Sequence, residues 1–128
     1  MDTVRLSWVG GEHPFALPLG RLRALQENCN AGPEEVFNRL RLGRWHVDDV
    51  LEPIRLGLIG GGMPDGDAGP LVTRIADQGD LIGLKLTAIA VLASALFAPE
   101  DDPVGEGEGV TTSAPENGGS PTSTETAQ

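Results

Sequence analysis

The run from Leu81 to Ala98, LIGLKLTAIAVLASALFA, most limits what this chain can become. Eighteen residues with a single charge must either cross a bilayer or be covered by protein. Lys85, Thr87 and Ser94 interrupt the run, and many of its side chains are small. Acids come after it, where the cytoplasmic end of a membrane span usually carries bases. The segment therefore reads as a central helix, opened by Asp80 as N-cap and stopped before Pro99, and no membrane association is expected. Leu81, Leu84, Ala88, Val91 and Leu92 fall on one apolar face, and Ile82, Leu86, Ile89 and Leu96 on another. Burial on both faces is expected, with one face open to completion by another chain, so self-association is expected too.

The C-terminal segment has the opposite character. Residues 99–128 contain Glu100, Asp101, Asp102, Glu106, Glu108, Glu116 and Glu125, no Lys or Arg, and only Val104, Val110, Ala114 and Ala127 as apolar residues. Such a segment cannot bury enough surface to offset an ordering cost of roughly 1–2 kcal/mol per residue. The chain thus divides into a folded domain over 1–98 and a disordered, acidic, low-complexity tail over 99–128. Of the net charge of −10, most belongs to that tail. Nucleic acid is not an expected partner, because the nine cations form no basic stripe able to displace phosphate counterions. Cys29 is the one cysteine, and the N-terminus lacks a basic-then-apolar leader pattern, so a reducing, cytoplasmic location is expected.

Within the domain the hydrophobic period changes from two to about 3.6. Val4, Leu6 and Trp8 alternate with Thr3, Arg5 and Ser7 as in a half-buried strand. Gly10-Gly11 supplies a tight turn, and a second strand is expected from His13 to Leu17, with Pro14 confining it to an edge. Helical spacing begins at Pro18 with Leu19, Leu22 and Leu25, and ends in Asn28–Gly32. Pro33-Glu34-Glu35 opens a second helix carrying Val36, Phe37 and Leu40, stopped at Gly43. A third is expected from Val47 to Ile59 on Val50, Leu51, Ile54 and Leu58, with Pro53 bending it or moving its start. Gly60–Gly69 reads as a loop, and Pro70 as the start of a short helix carrying Leu71, Val72, Ile75 and Ala76 and closed at Gly79. The expected fold is mostly α: a small N-terminal β-hairpin and a compact bundle of about five short helices.

Catalytic chemistry finds little support in these residues. His46 with Asp48 and Asp49 has one imidazole and reads as a helix start rather than a metal cluster. Asp65-Gly66-Asp67 opens like a calcium loop, but its twelfth position is Ala76 instead of a bidentate glutamate. Gly60-Gly61-Gly62 lacks the strand and the Lys of a phosphate cradle. Cys29 reads as small buried filler. No catalytic residue, metal or cofactor is expected, and the chain reads as a non-enzyme.

The order of parts carries a resemblance. VRLSWVGGEHPFALPLGRLRALQE leads through a hairpin into a helix. PEEVFNRLRLGRWHVDDVLEPIRLGLIGGG supplies two more, and an Ala/Leu-rich helix closes the domain. Over residues 3–98 this resembles the gene transfer agent family of small phage-tail proteins, grouped with the tail assembly chaperones of long-tailed phages. The most telling stretch is Leu42–Leu51, then Ile54–Leu58 and Gly60-Gly61. The resemblance implies a non-enzymatic helper of tail morphogenesis. Such a helper coats the helix-rich tape-measure protein, presents it to polymerising tail-tube subunits and leaves before the particle matures. Leu19, Leu22 and Leu25, together with Leu81, Leu84, Ala88, Val91 and Leu92, are the expected partner-binding residues. A structural component retained in the tail, usually more β-rich, and an unrelated helical adaptor are the alternatives.

Overall fold

The alternation of Val4, Leu6 and Trp8 produces a strand in the computed structural model, which describes residues 3–97. β1 (Val4–Trp8) pairs antiparallel with β2 (Gly11–Phe15) in a two-stranded sheet, Val4 opposite Phe15 and Trp8 opposite Gly11. Hydrogen-bonded pairs alternate from the Trp8–Gly11 closing pair, so Pro14, opposite Arg5, falls where its missing N–H costs no ladder bond. The strand therefore starts at Gly11, earlier than the proline suggested, and ends at Phe15, not Leu17. From there the backbone leaves the sheet for a helix: the Ala16 N–H donates to the Gly57 carbonyl at 3.0 Å.

Five helices complete the domain: α1 (Leu19–Cys29), α2 (Pro33–Leu42), α3 (Val47–Gly60), α4 (Asp65–Asp77) and α5 (Leu81–Leu96). Local chemistry accounts for several of their ends. Asn30 takes the left-handed conformation, φ 54°, after α1, and Gly43 does so after α2, φ 77°. Asp80 accepts from the Gly83 N–H at 2.9 Å as the N-cap of α5. Two boundaries differ from the sequence expectation. α4 begins at Asp65, within the stretch read as loop, because Ala68 is the first member of the stripe Ala68, Val72, Ile75 and is fully buried. Asp65 and Asp67 then sit in the first turn, where carboxylates favour the positive end of the helix. Pro53 neither ends α3 nor moves its start, and the helix runs through it from Val47.

The centre of the domain is α3, not α5. Asp49, Val50, Pro53, Ile54, Leu56, Gly57 and Leu58 are all buried, and α3 packs against α1, α2, α4, α5 and β2. Glycines make this possible. A Cβ at Gly60 would land on the Ala16 carbonyl, one at Gly61 on the Pro14 carbonyl, and one at Gly57 2.9 Å from Val91 Cγ1 and 3.0 Å from Phe15 Cδ2. The segment read as a loop is thus a seam on which the chain after β2 lies directly against helix backbone.

α5 departs correspondingly from expectation. Leu84, Ala88, Val91 and Leu92 are buried, but on the second face Ile82 is 57% and Leu86 61% exposed, with Ile89 and Leu96 half-buried. At sixteen residues, α5 is one of five helices none of which, among the described residues, is long and apolar enough to cross a membrane. The acidic tail expected over 99–128 lies outside the described residues.

Candidate functional site

The eight residues expected to bind a partner separate sharply by burial. Leu25, Leu84, Ala88, Val91 and Leu92 belong to one core cluster, and Leu22 and Leu81 pack half-buried against it. Leu19 alone is open to solvent, 62% exposed. On the other face of α5, Ile82 and Leu86 are exposed, while Ile89 packs half-buried against the core. Ile82, Leu86, Ile89, Ala93 and Leu96 recur at alternating steps of four and three, which places them in one continuous stripe along the helix. Both faces of α5 are legible in the sequence, but the face expected to meet a partner is the one the core covers. The two stripes are equally apolar, and only the position of α3 distinguishes them.

The C-terminal end of this stripe opens into a groove of about 490 Å³ lined by Glu34, Phe37, Asn38, Arg41, Leu96 and Phe97. Phe97 stands edge-on to Phe37 with ring centroids 5.8 Å apart, and the Arg41 guanidinium lies 5.3 Å from the Phe37 centroid. Asn38 accepts from Arg41 at 3.0 Å and so fixes that guanidinium. Two aromatic rings, the Arg41 cation and the Glu34 carboxylate thus border the end of the apolar stripe. Among the described residues no group of three or more His, Cys, Asp or Glu side chains could hold a metal ion.

Polar organisation is concentrated instead where α1, α2 and α3 meet. Asp49 is 1% exposed and accepts from Arg39 Nη1, 3.4 Å from each carboxylate oxygen. Its Oδ2 also accepts from the His46 N–H at 2.8 Å, closing the first turn of α3. Arg39 reaches Glu35 at 3.5 Å as well. Next to this pair, Glu52 accepts from Arg55 at 2.8 and 2.9 Å and from Asn28 at 2.7 Å. Burial pushes the Glu52 carboxyl upward, but the hydrogen bonds from Arg55 and Asn28 outweigh it and hold the group below the usual carboxylate range. Its contribution to stability is therefore present at neutral pH and lost on acidification through that depressed range.

Cys29 borders the same region, with Sγ 3.5 Å from the Asp48 carbonyl. Burial, then the neighbouring charges of Asp49 and Glu52, push its thiol up to about 12. The thiolate is the reactive species, so labelling by a disulfide reagent at pH 8 is expected to run much slower than for an exposed, ordinary thiol. Rapid labelling in urea and slow labelling without it would verify this. Equal rates would show that the α1–α3 contact does not enclose the sulfur.

Comparison with known proteins reaches the whole of this domain. Residues 2–98 match the model of a family described as phage tail tube protein, GTA-gp10. No curated protein and no solved structure matches the chain.

Proposed function

Since this chain belongs to the phage tail tube protein, GTA-gp10 family, whose setting is the tail of a phage or gene transfer agent, we propose that it is a non-enzymatic assembly chaperone for that tail. In this reading it acts in the host cytoplasm. It binds the tape-measure protein through the exposed stripe of α5 and passes it to polymerising tail-tube subunits. The observation that carries the reading is the exposed part of the stripe: Ile82 and Leu86 stand in solvent on a helix whose opposite face buries Leu84, Ala88, Val91 and Leu92. A helical partner offering its own apolar residues at intervals of three and four would cover them reversibly. Without that partner, the same stripe is where copies of the chain self-associate.

The family's description favours a second reading, a tube component retained in the particle. Against it stands the small sheet, since two strands supply little of a continuous β wall. Mass spectrometry separates the two. The chaperone reading expects tape-measure protein captured from lysate on a tagged copy, and no copies in purified particles; stoichiometric copies in particles would establish the tube reading instead. In the lysate experiment, Leu86→Asp is expected to cut tape-measure capture more than tenfold while leaving the thermal midpoint unchanged, because the side chain is outside the core. Undiminished capture by that variant would remove α5 as the binding face.

A further inference from the structure

Trp8 and His13 are diagonal neighbours on one face of the hairpin, in a relationship that depends on the protonation of one ring. The Trp8 indole Nε1–H donates to His13 Nδ1 at 2.9 Å. Indole N–H is a donor only, so this bond requires a neutral imidazole carrying its proton on Nε2. The indole also packs against the core of the domain. It stands edge-on to Phe15 at 5.9 Å, and it lies over Gly10 so closely that a Cβ there would fall 2.5 Å from Trp8 Cζ2 and 2.8 Å from Ile75 Cδ1 of α4. Both rings are half-buried, which keeps bulk water from substituting freely for either partner.

The surrounding charges give a protonated His13 somewhere to turn. His13 lines a groove of about 510 Å³ between β2 and the α3–α4 connection, and Asp67 of α4 lines the same groove. The other residues around it, from Pro14 through Leu58, Met63 and Leu71, carry no charge. On β2 itself Glu12 is already engaged by Arg5 of β1 at 3.3 Å. With both imidazole nitrogens protonated, Nδ1–H would oppose the indole N–H, whereas Asp67 would attract the new charge.

We propose that the Trp8–His13 pair is an acid-sensitive latch. With a neutral imidazole it holds the indole over the Gly10 turn and against the core. With the imidazolium, the indole loses its acceptor and His13 turns toward Asp67, placing a cation in the wall of the groove. The contact is made to the neutral ring, so the closed form is present at higher pH and lost as the pH falls. This inference is independent of the role in tail assembly.

The test tracks the Trp8 indole resonance of the full chain by ¹H–¹⁵N NMR between about pH 8 and 5, the range in which histidine charges, with Trp45→Phe to leave one indole signal. The expected result is that the Trp8 signal and the His13 ring protons move along one curve while far-UV circular dichroism stays constant. His13→Gln keeps a carbonyl acceptor for the indole but cannot titrate, and it should flatten the Trp8 curve. A Trp8 signal that ignores His13 protonation would overturn the latch. So would an unchanged pH response in His13→Gln, which would assign it to another titrating group, or a loss of helix signal in step with it, which would assign it to acid unfolding.

Discussion

Gly60→Ala is expected to lower the thermal midpoint by about 12–24 °C. The added Cβ would land on the Ala16 carbonyl, with Ala16 C 2.8 Å away, and the obstacle is backbone held in place by the Ala16 N–H bond to Gly57. A flexible side chain could rotate aside, but this segment can only move as a whole and take Phe15 and Leu17 out of the core. Overpacking of this kind costs about 3 kcal/mol at the upper end of its usual range. In a domain of this size each kcal/mol moves the midpoint by about 4–8 °C. Gly61→Ala is expected to act similarly, since its Cβ would meet the Pro14 carbonyl. Gly20→Ala is the control. It lies in the first turn of α1 with nothing within 4 Å of the new Cβ, and it should leave the midpoint unchanged or slightly raised. Parallel melting curves check all three, and a neutral Gly60→Ala would mean that the strand–helix seam is looser than these contacts require.

Asp49→Ala should remove about 3 kcal/mol of unfolding free energy. Its loss leaves the Arg39 guanidinium with one fewer anion in a largely buried position and withdraws the acceptor from the His46 N–H. Breaking a buried pair by deleting one partner typically costs about 3–5 kcal/mol, because the remaining charge is desolvated without compensation. The lower figure applies here, since Arg39 is 20% exposed and keeps Glu35. Asp49→Asn, which retains an acceptor for His46 but not the charge, should fall between wild type and alanine. Urea midpoints at constant slope read these differences. The double variant Arg39→Met, Asp49→Ala completes the cycle and should lose less than the sum of its single changes, because neither then leaves an unpaired charge. Strict additivity would show that the two side chains do not interact.

These two sites also mark where the residues alone were informative and where they were not. Asp49 was legible as an acid in a helical first turn, a local preference set by the dipole. That it is buried and meets Arg39 depends on α2 crossing α3. Gly60 and Gly61 were legible as glycines but read as a loop, because proximity to Pro14 and Ala16 spans more than forty residues of sequence and leaves no periodic trace. The early start of α4 had a visible signal in Ala68, four residues before Val72, which the glycines and Pro70 around it obscured.

The partner-binding face shows the same division. The uniform hydrophobicity of α5 required it to be covered and could not say by what, since both of its faces satisfy the same spacing. Sequence by itself determined the hairpin, the five helices and caps such as Gly43 and Asp80, because turns, capping residues and hydrophobic periods act over a few neighbouring residues. Tertiary structure decided that α3 is the centre and that α5 leaves Ile82 and Leu86 in solvent. The physical reason is that close approach at Gly57, Gly60 and Gly61 lets β2 and α5 converge on α3, and a helix surrounded in that way leaves its neighbours on the outside.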